Sequence, residues 1–383
     1  MSVHRKKTTT LGLIGIPLFE PRCYSMGNSP IAILYLGSRG AGLKFTELLE
    51  TEFHIRGKEF IVITRNKKNV SANNLNTFQL ALPRIRVSSL VGIGRKKALQ
   101  QIIGLLKYHN VQTVLIPMAH PWDIYFQKKL QTEGIKIIRI IHDASRHPGE
   151  LWPTGRDIGT MNKADAIVSL SKYTSSLLSV KPNKIFTACH PILEYGENPK
   201  VATRSILESE YDLIIGRQKG YQNTKSVARW WMSLPQPIKQ ERKLVIAGDL
   251  NVFTKLIIRG GKDVIFINRW LSDGEFLDLI SGANRVICLY KEASQSGVVS
   301  AAQSLKVPLL VSDIGGLPDQ INSLGGGLVA SYQSKADWQF KYEELNEKSM
   351  NFPEIDVNTT FFKNIFMAID FVGEESAKAR SYD

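Results

Sequence analysis

Three short segments of the sequence combine residue types that bind phosphate groups, and each follows a run of aliphatic residues. The first contains Gly37, Gly40 and Gly42 before a helix-forming run that begins at Leu43. Glycine lets the backbone approach a ligand, and a helix N-terminus presents unpaired N–H groups with partial positive charge. The spacing only partly matches GxGxxG. Gly40 and Gly42 are therefore candidates for an acceptor or phosphate loop, and a simple tight turn is the alternative.

The second segment is basic. Arg217 and Lys219 follow the aliphatic run at residues 212–215. An arginine at the end of a strand offers a planar fork to phosphate oxygens, and a lysine adds a point charge. The pattern favours diphosphate binding, and a solvated basic loop is the alternative.

The third segment, residues 290–319, is the most informative. A predicted strand ends there in a small polar loop, and Ser296 and Gly297 lead from this loop into a short helix. The next predicted strand ends before Gly315 and Gly316. Two helix N-termini are then expected to point at one place, where their dipoles would stabilise an anion.

Strands that alternate with helical segments must position these loops. This alternation is typical of parallel sheets covered by helices, so the predicted class is α/β. Ligands of such sheets bind beyond the carboxyl ends of the strands, where all three segments lie. The predicted strands are residues 31–36, 60–64, 113–117, 135–141 and 166–170 in the first half, and 212–215, 244–247, 264–267, 285–290 and 309–312 in the second.

A chain of 383 residues is too long for one ordinary α/β core, so two Rossmann-like domains are expected to face each other across a cleft. We predict an N-terminal arm (1–28), an amino domain that binds the acceptor (29–195) and a carboxyl domain that binds the donor (208–350). Ser272 and Glu275 predict a capping box at the start of one helix. A last helix at 357–372 carries an apolar stripe and is expected to cross back to the amino domain.

The positive charge is confined to the first half. Residues 1–200 hold 28 Lys and Arg against 13 Asp and Glu, whereas residues 201–383 hold 21 against 22. Such a field attracts anionic partners, and a basic surface kept for solubility is the alternative. Nucleic acid is not expected, because no binding module accompanies the charge. The three cysteines are widely spaced, which fits a reducing cytoplasm, and no transmembrane helix is expected.

The second half resembles the family 4 glycosyltransferases, a large family with the fold called GT-B. The order and spacing of the matching segments cover roughly residues 208–325. In the first half the likeness is fainter and lies at residues 141–143, 164–171 and 190–191. The matching segments of the second half are residues 215–217, 243–248, 271–276 with 283–284, 295–298, and 308 with 315–319.

The resemblance implies roles for particular residues. Arg217, helped by Lys219, would bind the donor diphosphate, and the backbone at Ser296, Gly297 and Val298 would bind the same phosphates and the sugar. His142, with Asp143 beside it, matches the active-site histidine of the amino domain, although an isolated histidine after a strand is often structural. Glu292 matches the first of two family glutamates with a one-residue shift.

The sequence also departs from the family pattern. The second glutamate position falls at Ser300 or Ala301, and Gln222 stands where the family usually has a lysine. Lys219 or Lys225 would then have to supply the missing cation.

The implied activity is glycosyl transfer of the hexosyltransferase type, from a nucleoside-diphosphate sugar to an acceptor hydroxyl. No Asp-x-Asp cluster is present, so neither a metal nor another cofactor is expected. Family members mostly retain the anomeric configuration and assemble polysaccharides or glycolipids. The acceptor would be a glycan or a lipid-linked molecule, and the protein would be cytoplasmic, with peripheral attachment to the anionic inner face of the plasma membrane as an option. Two alternatives stay open: a nucleotide-sugar epimerase of the same fold, with Asp123 and Asp143 as its acid and base, and a binding protein that has lost catalysis.

Overall fold

The computed structural model describes residues 29–37, 41–65, 77–80, 93–144, 158–193, 209–249, 262–354 and 356–380. The predicted N-terminal arm, residues 196–207 between the two predicted domains and Gly40 lie outside the described residues.

The amino domain contains a seven-stranded parallel sheet with the order β3-β2-β1-β4-β5-β6-β7. Its central strands are buried along their whole length, which explains why they are continuous apolar runs. The strands are β1 (Ile31–Tyr35), β2 (Phe60–Thr64), β3 (Thr77–Gln79), β4 (Thr113–Ile116), β5 (Lys136–Ile141), β6 (Ala166–Ser169) and β7 (Ile185–Thr187).

The carboxyl domain repeats this winding in a six-stranded parallel sheet with the order β10-β9-β8-β11-β12-β13. In both sheets the chain begins in the middle, winds to one edge and then returns to fill the other. The strands are β8 (Tyr211–Ile215), β9 (Lys243–Ala247), β10 (Val264–Ile267), β11 (Arg285–Cys288), β12 (Leu309–Ser312) and β13 (Gly327–Ala330).

Helices cover both faces of each sheet. The predicted capping box is confirmed, because the Ser272 side chain accepts from the Glu275 N–H while the Glu275 carboxylate accepts from the Ser272 N–H. The helices are Ala41–Ile55, Ile93–Tyr108, Asp123–Thr132, Ile158–Met161 and Lys172–Ser176 in the amino domain, and Thr224–Ser233, Gln236–Lys239, Asp273–Ser281, Gly297–Ser304, Leu317–Leu324 and Lys335–Glu347 in the carboxyl domain.

The last helix, Val357–Arg380, packs on the amino domain. Phe361, Phe362 and Ile365 are buried in the same apolar cluster as Phe45 and Phe53 of the first helix. The Asn358 side chain accepts from the Ile192 N–H at 2.9 Å and donates to the Ile192 carbonyl at 3.2 Å. The chain therefore crosses back to complete the core of the domain in which it began.

The described residues include no helix that is long and apolar enough to cross a membrane.

Candidate functional site

His142 lies directly after β5, at the carboxyl edge of the amino sheet. Its Nε2 is 2.9 Å from the Pro117 carbonyl oxygen at the end of β4. Because a carbonyl oxygen can only accept, Nε2 carries a proton and donates it. The edge of the Phe45 ring packs against the imidazole with centroids 4.3 Å apart. These contacts fix the orientation of the imidazole to which the family resemblance assigns an active-site role, and Asp143 is the next residue in the chain.

A second histidine belongs to the same cluster. The ring of His190, which follows β7, lies 6.2 Å from His142 and 5.5 Å from Phe45 between centroids. Burial, followed by the neighbouring His142, lowers the pKa of His190 to about 3. His190 is therefore neutral at physiological pH. Sequence analysis assigned no role to His190, which lies in a segment of faint family likeness.

On the opposite side, the helix Gly297–Ser304 begins at the carboxyl edge of the second sheet. Ser296 caps it, accepting from the Val299 N–H. The N–H groups of Gly297 and Val298 occupy the first helical positions, where an α-helix offers no backbone acceptor. The Ser296 N–H instead donates to Gln320 at 2.7 Å. The anion-binding role proposed for this turn thus falls to the N–H groups of Gly297 and Val298.

Arg217 lies beside this helix. Gly216, which ends β8 with φ of +112°, would bring an added Cβ to 3.4 Å from the Val298 side chain. Arg217 is exposed, and its guanidinium lies 5.6 Å from the centre of the exposed Trp270 ring. Lys219 and Glu292 are also exposed. Arg217 follows β8 and the helix begins after β11, so both lie at the carboxyl edge of the same sheet, while the Arg217 guanidinium itself contacts Trp270.

The Gln222 side chain is not exposed to solvent at this edge of the sheet. It is buried, its carbonyl oxygen accepts from the Lys219 N–H at 2.9 Å, and its side chain is hydrogen-bonded to the buried Tyr290 hydroxyl. A lysine at this position would place its charge among buried polar groups. Lys219 and Lys225 are exposed and are the nearby cations that can turn towards a ligand.

The space beside the glycine segment after β1 is filled by the Tyr35 side chain of that strand. An added Cβ at Gly37 or Gly42 would lie 2.2 or 2.3 Å from atoms of the buried Tyr35 side chain. These glycines make room for that ring, which accounts for them without a ligand. The acceptor or phosphate role of Gly42 stays a prediction, as does that of Gly40.

The two domains are in direct contact beside the site. The Ser171 hydroxyl donates to the Ser294 carbonyl at 3.1 Å, and Ser300 Oγ lies 3.1 Å from His190 Nδ1. Lys44 forms an ion pair with Asp273 at 3.2 Å. Of these residues, the sequence singled out only Ser300, and only as the place of a missing glutamate. The serines at 296 and 300 lie one helical turn apart, which could have pointed to a polar face on this helix.

Comparison with known proteins adds the fold relationship. No family model and no curated protein matches the sequence. A glycosyltransferase from Rickettsia africae ESF-5 superposes with a TM-score of 0.63 at 12% identity, covering 93% of this chain and 98% of its own. WaaG, a glycosyltransferase involved in lipopolysaccharide biosynthesis, gives 0.58 at 14% identity, with 90% and 95% covered.

An epimerase has a similar structure. The UDP-GlcNAc 2-epimerase of Methanocaldococcus jannaschii, in complex with UDP-GlcNAc and UDP, gives a TM-score of 0.56 at 14% identity, covering 88% of this chain and 99% of its own. At such identities the likeness establishes architecture rather than activity. With two parallel Rossmann-like sheets and a last helix that returns to the first domain, this chain has the GT-B fold.

Proposed function

We propose that the protein transfers a glycosyl group from a nucleoside-diphosphate sugar to an acceptor hydroxyl. The observation that carries this proposal is the position of Arg217 and the N-terminus of the helix Gly297–Ser304 at one edge of the carboxyl sheet. A guanidinium and unpaired helical N–H groups are the donors that a diphosphate needs. The His142 cluster contacts the same helix through His190 and Ser300.

The chemistry follows from this arrangement. During transfer, the bond between the anomeric carbon and the diphosphate oxygen breaks and a bond to the acceptor oxygen forms, while the proton of the acceptor hydroxyl passes to the departing diphosphate. Negative charge develops on the departing diphosphate. Arg217 and the N–H groups of Gly297 and Val298 would stabilise it, with Lys219 adding a cation, so the step would not need a metal. Retention of the anomeric configuration is part of the proposal through the family resemblance.

An epimerase is the second candidate, and the similar epimerase structure favours considering it. It would need acidic residues free to exchange protons with the sugar. Asp123 is already used: it is buried, paired with Arg139 at 2.9 Å, and accepts from the His120 N–H at 2.7 Å. Asp143 would have to act without it, which favours transfer. A binding protein without catalysis is the third candidate.

One experiment separates the three candidates. Purified protein is mixed with a panel of UDP-, GDP- and TDP-sugars. Thermal shift measures donor binding, a coupled assay measures nucleotide release, and NMR determines the configuration of the sugar. Transfer predicts nucleoside diphosphate release that depends on an added glycan or lipid-linked acceptor. Epimerisation predicts a changed sugar with the nucleotide still attached. Binding without either outcome would identify a protein that has lost catalysis.

We also propose that the protein binds peripherally to an anionic membrane surface, on the cytoplasmic side of the membrane. It would encounter a lipid-linked acceptor there. Two basic residues of the helix Ile93–Tyr108 are engaged within the fold: Arg95 stacks on Tyr125 at 4.2 Å, and Lys107 pairs with Glu133 at 2.7 Å. A basic groove lies between the first and last helices, and within it Arg56 pairs with Glu52 and stacks on Phe366. It is lined by Arg56, Lys58, Thr359, Lys363, Phe366, Met367 and Asp370.

This surface is testable in the full-length protein. Replacing Lys58 and Lys363 together with Glu should abolish co-sedimentation with anionic vesicles at low salt, since each cation near an anionic leaflet contributes about 1 kcal/mol. Replacing Lys306 and Lys335, which are exposed in the carboxyl domain, is the matched control. Equal binding to neutral vesicles would leave the basic half as an ordinary soluble surface.

A further inference from the structure

A buried polar link between the domains joins the donor-side helix to the histidine cluster. Ser300 Oγ, on the helix Gly297–Ser304, is 3.1 Å from His190 Nδ1 in the amino domain. Ser300 and His190 are buried, and so is Gln320, whose amide N–H donates to Ser300 Oγ at 3.1 Å. A hydrogen bond formed away from water between domains fixes their relative position more firmly than one at an exposed rim.

The directions of these bonds are set by their partners. His190 Nδ1 lies 2.8 Å from the Pro191 carbonyl oxygen, which can only accept, so Nδ1 carries the proton and shares it with Ser300 Oγ. Ser300 thus accepts from His190 and from Gln320, and its own hydroxyl proton is directed to the Ser296 carbonyl at 3.5 Å.

Gln320 extends the link to the anion-binding turn. Its carbonyl oxygen accepts from the Ser296 N–H at 2.7 Å, and its amide also donates to the Ser296 carbonyl at 3.1 Å. This two-sided contact holds the residue that caps the helix. At the other end, His190 packs edge-on against Phe45, which also packs against His142.

We propose that Ser300 and His190 are positioning residues that hold the donor-side helix at a fixed distance from His142. The proposal rests on the function proposed above, because it assigns the helix N-terminus to the diphosphate and His142 to the transferring sugar. A misplacement of about 1 Å between reacting groups lowers the rate strongly while leaving ground-state contacts in place. Loss of the link should therefore reduce kcat more than it raises the KM for the donor.

The test compares two serines on one helix. Ser300→Ala removes the hydroxyl that meets His190, whereas Ser304→Ala removes an exposed hydroxyl that bonds only to the Ala301 carbonyl of its own helix. We expect kcat to fall about tenfold in Ser300→Ala with the donor KM nearly unchanged, and to stay at the wild-type value in Ser304→Ala. Ser300→Thr, which keeps the hydroxyl, should recover most of the loss.

A double-mutant cycle then tests the partner. His190→Phe keeps a ring against Phe45 but removes Nδ1, so the double variant with Ser300→Ala should be no slower than the slower single variant. Additive losses, or an unchanged kcat in Ser300→Ala, would overturn the link.

A second readout does not depend on turnover. Amide hydrogen exchange at residues 188–190 and 296–300 should accelerate in Ser300→Ala and not in Ser304→Ala. If the wild-type protein turns over no donor, the proposed function fails; unchanged exchange in Ser300→Ala would separately overturn the positioning link.

Discussion

The two domains are wound alike but differ in how they complete their cores. Each sheet starts with a central strand and is parallel throughout. The two large apolar clusters of the carboxyl domain contain, among the described residues, only side chains between Tyr211 and Met350. The corresponding cluster of the amino domain includes five buried residues of the last helix, namely Phe361, Phe362, Ile365, Ala368 and Val372. The amino domain therefore depends on the far end of the chain, whereas the carboxyl domain does not.

Glycines near strand ends also differ between the domains, as Gly248 after β9 and Gly42 at the start of the helix after β1 show. In the carboxyl domain, Gly248 has φ of +125°, and an added Cβ would lie 1.9 Å from the Gly216 carbonyl oxygen, so two backbones touch there. In the amino domain, Gly42 faces the Tyr35 side chain. Gly248 therefore allows two backbone segments to approach closely, whereas Gly42 makes room for an aromatic ring. Similar glycines thus serve different purposes in the two domains.

The largest effect is expected from removing the last helix. Ending the chain before Asn358 removes the five buried side chains, which together contribute roughly 8 kcal/mol, comparable to the whole net stability of a domain. The amino domain should unfold while the carboxyl domain keeps its structure, as hydrogen exchange resolved by segment would show. Ending the chain after Gly373, beyond the last buried side chain, is the control and should cost little. If both truncated proteins are equally stable, the amino domain does not depend on the last helix for its stability.

Replacing Gly248 and Gly42 with alanine should distinguish a glycine that is packed against backbone from one that is packed against an aromatic ring. Gly248→Ala combines a backbone clash with a strained positive φ and should destabilise the protein by about 3 kcal/mol or more. Gly42→Ala should cost about 1–3 kcal/mol from overpacking, and a second change, Tyr35→Leu, should recover part of that loss. Urea unfolding measures both. A full rescue of Gly248→Ala by any side-chain change nearby would contradict the backbone explanation.

Arg217→Ala tests the ligand edge of the carboxyl domain. Loss of a charge-assisted contact should weaken nucleoside-diphosphate-sugar binding by about 1.5–3 kcal/mol, measured by calorimetry. Arg229→Ala, which removes an exposed arginine from the helix Thr224–Ser233, is the matched control and should leave affinity unchanged. Equal affinities in both variants would remove Arg217 from the site.

The smallest expected effect is a pH dependence carried by the amino domain. Burial lowers the pKa of His190 to about 3 and that of His120 to about 4. Below the usual pKa of about 6.5 the unfolded chain therefore binds more protons than the folded protein, and the free energy of unfolding decreases as the pH is lowered. Burial raises the pKa of Asp123 to about 6 against the opposing charge of Arg139, so between about pH 6 and 4 this carboxyl gains a proton in the folded state and offsets one histidine.

One uncompensated proton corresponds to a fall of about 1.4 kcal/mol per pH unit over that range. His190→Phe should flatten this slope, and His54→Phe, which replaces an exposed histidine, should not. Urea unfolding at pH 7, 6, 5 and 4.5 provides the measurement. An unchanged slope in His190→Phe would mean that His190 is not the buried neutral group described above.

Much of the fold could be predicted from local patterns. Every strand predicted from an apolar run is present, with ends that agree to within about two residues. The three strands missed, β3, β7 and β13, are short edge strands; residues 327–330 begin with glycine and are only half-buried for most of their length. An edge strand buries less apolar surface, so its sequence carries a weaker pattern.

The sequence points to only part of the candidate site, and its ligand roles stay predictions. Arg217 and Gly297 stand out because strand ends and helix starts leave local signals, whereas Val298 was assigned through the family resemblance. The buried position of Gln222 and the use of the Ser296 N–H by Gln320 leave no such signal, because each depends on a partner from another element.

The sequence by itself determined the α/β class, the parallel winding, the capped helices and the uneven charge, since these follow from the period of apolar residues and from composition. Only the tertiary structure decided that Tyr35 fills the amino glycine segment, that the last helix completes the first core and that Ser300 meets His190, 110 residues away. Such contacts depend on how two separately wound sheets come together. A hydrogen bond between distant residues places no periodic constraint on the chain between them, so no local pattern records it.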